Sequence, residues 1–265
     1  MNRPVITLLT DFGHRDTYVG QMKGVIAHIC PAANVIDLTH DVPPQNIAYG
    51  GYFLADALDA FPTHTIHIAV IDPGVGSKRK AIAIQTSDAI FIGPDNGLFT
   101  AALQNKRIIK IVELSQPDYW FGSSSTFHGR DIFAATAAHL AAGIHLSALG
   151  DPLQQYITLD LPQPTTHNST LTGHVIMIDR FGNLITNIHR NMLEQYILAH
   201  GDRIALTCGH VQIISGIQST FSDVSEGELV AYIGSSMRLE IGLRNGSAAQ
   251  ELDLICGSIA TITKL

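Results

Sequence analysis

Strand-like and helix-like segments alternate through the first 160 residues of this chain, and the alternation stops at "LPQPTTHNST" (residues 161–170). The apolar runs "PVITLLT", "NVIDLT", "TIHIAVI", "AIAIQTS", "AIFIGP" and "RIIKIVEL" have the length and β-branched content of strands. Between or after some of them fall the helical patterns "DTYVGQMKGVIAHI", "NIAYGGYFLADALDAF" and "DIFAATAAHLAAG". In the second, Ile47, Leu54, Ala55, Leu58 and Phe61 recur near the helical period, with Gly51 on the same face. Such alternation implies crossover connections, and so an N-terminal α/β domain around a mostly parallel central sheet. After the Pro/Thr/Asn-rich segment the runs are mostly strand: "HVIMI", "RIALTCGHVQII", "ELVAYIGS", "RLEIGL" and "SIATITKL", with one helix-like stretch, "NMLEQYILA". They predict a smaller C-terminal antiparallel β domain, barrel-like in form. The expected boundaries are an α/β catalytic domain over 1–162, a linker over 163–170 and the β domain over 171–265.

Composition narrows the function. A chain of 265 residues, 46% hydrophobic and 15% charged, can bury large cores and is not disordered. Its net charge of −7, with Lys and Arg scattered, excludes the basic stripe that nucleic-acid binding needs. Cys30, Cys208 and Cys256 are odd in number and form no CxxC pair, which points to a reducing compartment. The start, "MNRPVITLLTDFG", has an apolar run too short for a secretory segment, and no stretch reaches membrane-spanning length. The expectation is a cytoplasmic protein with a small-molecule partner, neither membrane nor nucleic acid.

Ligands of an open parallel sheet gather at the carboxyl ends of its strands. Here the first three strand-like runs each end in polar residues: Asp11-Phe12-Gly13, Thr39-His40-Asp41 and Asp72-Pro73-Gly74-Val75-Gly76. A fourth runs into Asp95-Asn96-Gly97, which reads as turn chemistry. Asp72 and Arg79 flank the glycine turn inside "HIAVIDPGVGSKRKAIAI". One carboxylate at a strand end is a turn-former; several on one edge suggest a site.

The common phosphate and metal motifs are absent. "GVGSKR" lacks the third glycine of a dinucleotide fingerprint, and no GxxxxGK[ST] exists. His64 and His67 in "THTIH" are three apart on a strand and face opposite ways, so no metal is expected. "STFHGRDIFA" differs: His128 and Gly129 precede an apolar helix, and Asp131 suits its N-cap or first turn. A loop histidine, with a carboxylate and an arginine elsewhere, can form a water-activating cluster.

Together "LLTDFGHRDTYVGQMKG", "LTHDVPPQNI", "VIDPGVGSKRKAIAI", "GPDNGLF", "STFHGRDIFA", "IDRFGNLITNI" and "GSSMRLEI" resemble the S-adenosyl-L-methionine (SAM) hydroxide adenosyltransferases, relatives of the bacterial fluorinase and chlorinase. The resemblance spans nearly the whole chain. It implies an adenosine-forming SAM hydrolase whose Asp, Arg and His fall on Asp72, Arg79 and His128. The halogenating relatives carry a tyrosine at the position of Asp72, so the aspartate favours water over halide. The resemblance also implies Asp11 for the ribose, Asp179 and Ser235 with nearby Ser236 for the methionine end, and Asn183 with Phe221 for adenine. Gln45 matches a substrate-lining position. No cofactor is implied, and the assembly implied is a homotrimer with sites at subunit interfaces. Met237 and Ala135 depart from the family's usual glycine and proline.

The chemistry suits these residues. A sulfonium releases methionine as a neutral thioether, so the reaction needs no general acid. It needs a nucleophile in line with the C5′–S bond. A guanidinium weakens an adjacent carboxylate as a base but favours a bound hydroxide, so the triad orients and activates water as a unit. A carboxylate at Asp11 can accept two hydrogen bonds from a ribose diol. The competing readings are halide-dependent adenosyl transfer, a non-catalytic adenosine or SAM-binding module and, more distantly, a metal-dependent hydrolase.

Overall fold

The computed structural model describes residues 3–201, 204–213 and 216–265. The chain forms two compact units, one ending at Leu161 and one over Pro162–Leu265.

The first unit holds β1 (Val5–Thr10), α1 (Tyr18–Ile29), β2 (Asn34–Thr39), α2 (Ile47–Ala57), β3 (Thr65–Val70), β4 (Ala81–Thr86), β5 (Ala89–Pro94), α3 (Thr100–Leu103), β6 (Ile108–Glu113), α4 (Ala135–Ala141) and β7 (Pro152–Leu153). Its sheet runs β2-β1-β3-β5-β4-β6-β7. β1 pairs in parallel with β2 and β3, and β3 with β5. β4 pairs antiparallel with β5 and β6, and β6 with β7. The sheet is therefore mixed, and the expectation of a mostly parallel one is corrected. The physical reason is local. Only Ser87 and Asp88 separate β4 from β5, too little chain for a crossover. Thr86 Oγ1 donates to Asp88 Oδ1 (2.7 Å) and accepts from Ala89 N (3.1 Å), which closes a hairpin.

Ile6 and Leu8 of β1, with Ile66, Ile68 and Val70 of β3, are buried in one core with Met22, Val25 and Ile26 of α1. Phe133, Ala134, Ala137 and Ala138 complete that core. α1 starts after Thr17, one residue past Asp16. The segment before α4 is a single π-helical turn, Gly129–Ala134. α2 packs closely through its glycines, since a Cβ on Gly51 would stand 2.7 Å from the Leu98 carbonyl oxygen.

The second unit holds β8 (Thr165–His167), β9 (Thr170–Ile178), β10 (Leu184–His189), α5 (Arg190–His200), β11 (Ile204–Cys208), β12 (Val211–Ile213), β13 (Ile217–Gln218), β14 (Leu229–Ile233), β15 (Arg238–Leu243), α6 (Ala248–Glu251) and β16 (Ile259–Lys264). Its sheet runs β12-β11-β16-β9-β10-β15-β14-β13, with β8 on β9. Among the described residues its pairs are antiparallel except β13 with β14. Leu171, Val175, Leu184, Ile188, Leu239, Ile241 and Ile262 fill its core together with Leu193 and Tyr196 of α5.

The "LPQPTTHNST" segment carries β8. Asn168 (φ 46°) and Ser169 (φ 59°) turn it back onto β9 with the left-handed backbone that two-residue hairpins require. The run "RIALTCGHVQII" is the hairpin β11–β12, and its ends, Arg203 and Ile214, lie outside the described residues, as do Met1 and Asn2. No helix among the described residues is long and apolar enough to cross a membrane.

Candidate active site

The parallel register sets one edge of the first unit's sheet. Leu9 lies opposite Thr39 and Thr10 opposite Val70, so Asp11, His40 and Asp72 all follow strands that end together. Asn96 fixes the last of these exits, donating from Nδ2 to the Ile71 carbonyl at 2.8 Å.

After Asp72 the chain turns twice. Val75 N donates to Asp72 O (3.2 Å) and Ser77 N to Gly74 O (3.1 Å). Gly76 takes φ 78°, and a Cβ there would meet the Ser125 carbonyl at 2.7 Å. Ser77 Oγ then accepts from Arg79 N at 3.2 Å. This loop returns Arg79 to Asp72, which explains why the two stand at opposite ends of a glycine turn.

Arg79 Nε donates to Asp72 Oδ1 at 2.9 Å and Nη2 donates to Oδ2. Nη2 also lies 2.8 Å from His128 Nδ1. Both side chains of the pair are nearly inaccessible, 8% exposed for Arg79 and 5% for Asp72. The guanidinium carbon sits 5.3 Å from the centroid of the buried Phe133 ring.

A guanidinium can only donate, so His128 Nδ1 is the acceptor and the ring proton is assigned to Nε2. Burial, then the Arg79 charge, hold the His128 pKa below the ordinary histidine value, against the opposing pull of Asp72 and Asp131. His128 caps the π-helical turn, a local geometry common at functional sites. Asp131 in that turn is buried, accepts from Ser124 N at 2.9 Å and is paired with Arg130.

Asp11 and Gln45 also come together, through the Gln45 backbone N–H that donates to Asp11 Oδ2 at 2.8 Å. Gln45 itself holds a left-handed backbone, φ 65°, just before α2.

In the second unit, Asp179 ties the β9–β10 turn: its Oδ1 accepts from Phe181 N (2.9 Å) and Asn183 N (2.8 Å), and its Oδ2 from Asn183 Nδ2 (2.7 Å). Gly242 on the neighbouring β15 leaves room for two of the candidate residues. A Cβ there would stand 2.5 Å from the Phe221 ring and 2.8 Å from Asn183 Oδ1. A cavity of about 640 Å³ opens beside them, lined by Phe181, Asn183, Phe221, Leu243 and Arg244 among others.

Ser235 and Ser236 lie in the β14–β15 turn. Leu184 pairs with Ile241 and His189 with Arg238, so this turn is at the other end of the β10–β15 pair from Asn183. Ser236 Oγ is buried without a hydrogen-bond partner among the described residues. Met237, in the same turn, has φ 57°, a conformation that favours glycine.

Sequence reasoning passed over Phe133, Asn96 and the contact between the buried Thr10 and His40. Asn96 stood inside a recognised motif but was read as a turn residue. Phe133 gave no signal, and His40 only its place in a polar strand end, because only the fold brings them to the site.

The architecture defines an α/β protein, with a half-buried Asp–Arg–His cluster where parallel strands end and a second unit carrying its own cavity. Comparison with known proteins narrows that class. The family model for the SAM hydroxide adenosyltransferase N-terminal domain matches residues 6–150, and that for the C-terminal domain matches residues 173–261. The chain belongs to the SAM hydroxide adenosyltransferase family.

It is 38% identical to the (R)-S-adenosyl-L-methionine hydrolase of Thermus thermophilus, over 95% of this chain and 96% of that protein. A fluorinase of Nocardia brasiliensis is more distant, at 28% identity over 96% of this chain and 95% of its own. A crystal structure of an uncharacterized conserved protein from Thermotoga maritima superposes with a TM-score of 0.92 at 36% identity, covering 98% of this chain and all of the other.

Proposed function

We propose that this chain hydrolyses SAM to adenosine and L-methionine, with water attacking C5′ in line with the departing thioether. The observation that carries this reading is the Asp72–Arg79–His128 cluster. Its hydrogen-bond roles suit a bound water. Arg79 has only donors, and His128 spends its one acceptor on Arg79, which leaves a donor at Nε2. Asp72 alone keeps free lone pairs. Water held between the Nε2 donor and Asp72 gives up a proton to the cluster as the C5′–O bond forms and the C5′–S bond breaks, releasing methionine as a neutral thioether. The Arg79 charge stabilises the hydroxide character that develops.

In the same reading, Asp11 uses its remaining lone pairs for the ribose diol, and Gln45 lines the site beside it. Asn183 and Phe221 hold adenine, and Asp179, Ser235 and Ser236 hold the methionine end. A sulfonium leaving group needs no Lewis acid, so neither metal nor cofactor enters. We place the enzyme in the cytoplasm, in line with its three free cysteines, and read the curled second sheet as barrel-like. The assembly is a homotrimer in which each site joins the first unit of one chain to the second unit of the next.

The Thermus relative's name specifies the R form. Since L already fixes the amino-acid centre, R refers to the sulfonium, and we take the same epimer as substrate here. The test is chromatography of purified protein incubated with mixed SAM epimers. Equal amounts of adenosine and methionine, formed from the R epimer, are expected. Binding without product would support a sensing module, and a chloride requirement would support halide transfer.

A further inference from the structure

Asp11 stands in a short loop, and one buried histidine fixes the backbone on both sides of it. On the near side, Thr10 Oγ1 lies 2.8 Å from His40 Nδ1 and accepts from Phe12 N at 3.2 Å. On the far side, Gly13 N donates to the His40 carbonyl at 2.8 Å. Thr10 and His40 are both wholly buried. The other ring nitrogen, Nε2, lies 3.0 Å from Asp37 Oδ1, within ion-pair reach although off the line of an ideal N–H bond. Asp37 is in turn paired with Lys23 at 2.6 Å.

These partners fix the direction of every proton. A carboxylate beside Nε2 keeps the ring hydrogen there, so Nδ1 must accept from the Thr10 hydroxyl. With its own hydrogen committed, Thr10 Oγ1 can only accept from Phe12 N–H. The chain of donors thus runs from the Asp11 loop inward to the half-exposed Asp37. A second contact, from Gln45 N to Asp11 Oδ2, fixes the carboxylate itself.

We infer that His40, through Thr10, is a positioning residue that holds Asp11 in the orientation needed to accept the ribose diol. The inference rests on the proposed ribose role of Asp11. His40 touches no substrate. It acts by locking a four-residue stretch of backbone whose carboxylate would otherwise swing with the loop. Burial holds the His40 pKa below its ordinary value, outweighing the upward pull of Asp37, so the neutral tautomer persists in neutral solution.

The experiment compares calorimetric affinities for adenosine and 2′,3′-dideoxyadenosine in the wild type, Thr10→Val and Asp11→Ala. Thr10→Val keeps the shape and removes the link. It should weaken adenosine binding roughly tenfold, the loss that follows when a charge-assisted hydrogen bond is misaligned. Dideoxyadenosine binding should stay unchanged, which a general loss of folding would not produce. A folded Thr10→Val protein with the wild-type preference for the diol overturns the inference. If Asp11→Ala keeps that preference, the ribose role of Asp11 fails and the positioning role fails with it. Should Thr10→Val not fold, Asp37→Ala breaks the same chain at its exposed end, and the same comparison decides.

Discussion

Arg79 meets Asp72 side-on, with Nε on one carboxylate oxygen at 2.9 Å and Nη2 on the other, while the same Nη2 reaches His128 at 2.8 Å. A bidentate pair of this kind fixes the carboxylate plane more firmly than a single bond would. In the proposed mechanism the carboxylate is thereby oriented before substrate arrives. The glycine turn between the two residues exists to make that geometry possible.

Removing the carboxylate should therefore separate catalysis from binding. Asp72→Ala is expected to lower kcat by roughly 10²–10⁴-fold, the usual contribution of a positioned acid–base group, while SAM affinity changes only a few-fold. Steady-state kinetics with calorimetric binding checks this. Near-normal turnover would remove Asp72 from the mechanism.

The pH profile follows from His128. Its Nδ1 must stay unprotonated to accept from Arg79, and burial with the Arg79 charge lowers its folded pKa from the model-peptide value of 6.5. Between that lowered pKa and 6.5 the unfolded chain binds a proton that the native one refuses. Its contribution to stability is thus complete above pH 6.5 and declines as pH falls through this window. Activity should be flat just above pH 6.5 and fall on an acid limb with its midpoint lower. A midpoint in kcat/KM above 6.5 would contradict the assigned tautomer.

Met237 offers a stability test. It holds φ 57° at 47% exposure, so its side chain gains little from burial while its backbone is strained. Met237→Gly should stabilise the protein by about 1 kcal/mol, or raise Tm by about 2–4 °C. An unchanged or lower Tm in calorimetry would show that the Met237 side chain compensates for the strain.

Much of this was legible in the residues. Strands β1 to β6 of the first unit read correctly from their apolar runs, as did the polar cluster where β1, β2 and β3 end. The sheet's mixed character was not, because pairing direction depends on the two-residue β4–β5 connection, and the apolar runs weigh more heavily on the eye than a short gap. β10 was missed as a strand because Asn187 and His189 interrupt its apolar pattern, although Leu184, Ile185 and Ile188 are buried. The contact between Thr10 and His40 was illegible for a different reason. They are 30 residues apart, and only the parallel register of β1 and β2 brings them into contact.

The proposed shared site predicts complementation. In that reading His128→Ala should disable the first unit and Asp179→Ala the second. Unfolding the two inactive proteins together and reassembling them should restore part of the activity, because some interfaces in mixed rings pair two intact halves. Mixed trimers, verified by mass, that stay as inactive as their parents would place every site within one chain.

The central claim is that water, activated at Asp72, Arg79 and His128, attacks C5′ of SAM. Its most direct measurement is mass spectrometry of adenosine formed by the wild-type protein in ¹⁸O-water, with and without a chelator. The account predicts adenosine labelled on its 5′ oxygen, equal amounts of unlabelled methionine, and the same rate in both conditions. Unlabelled adenosine, or activity lost with the chelator, would contradict it.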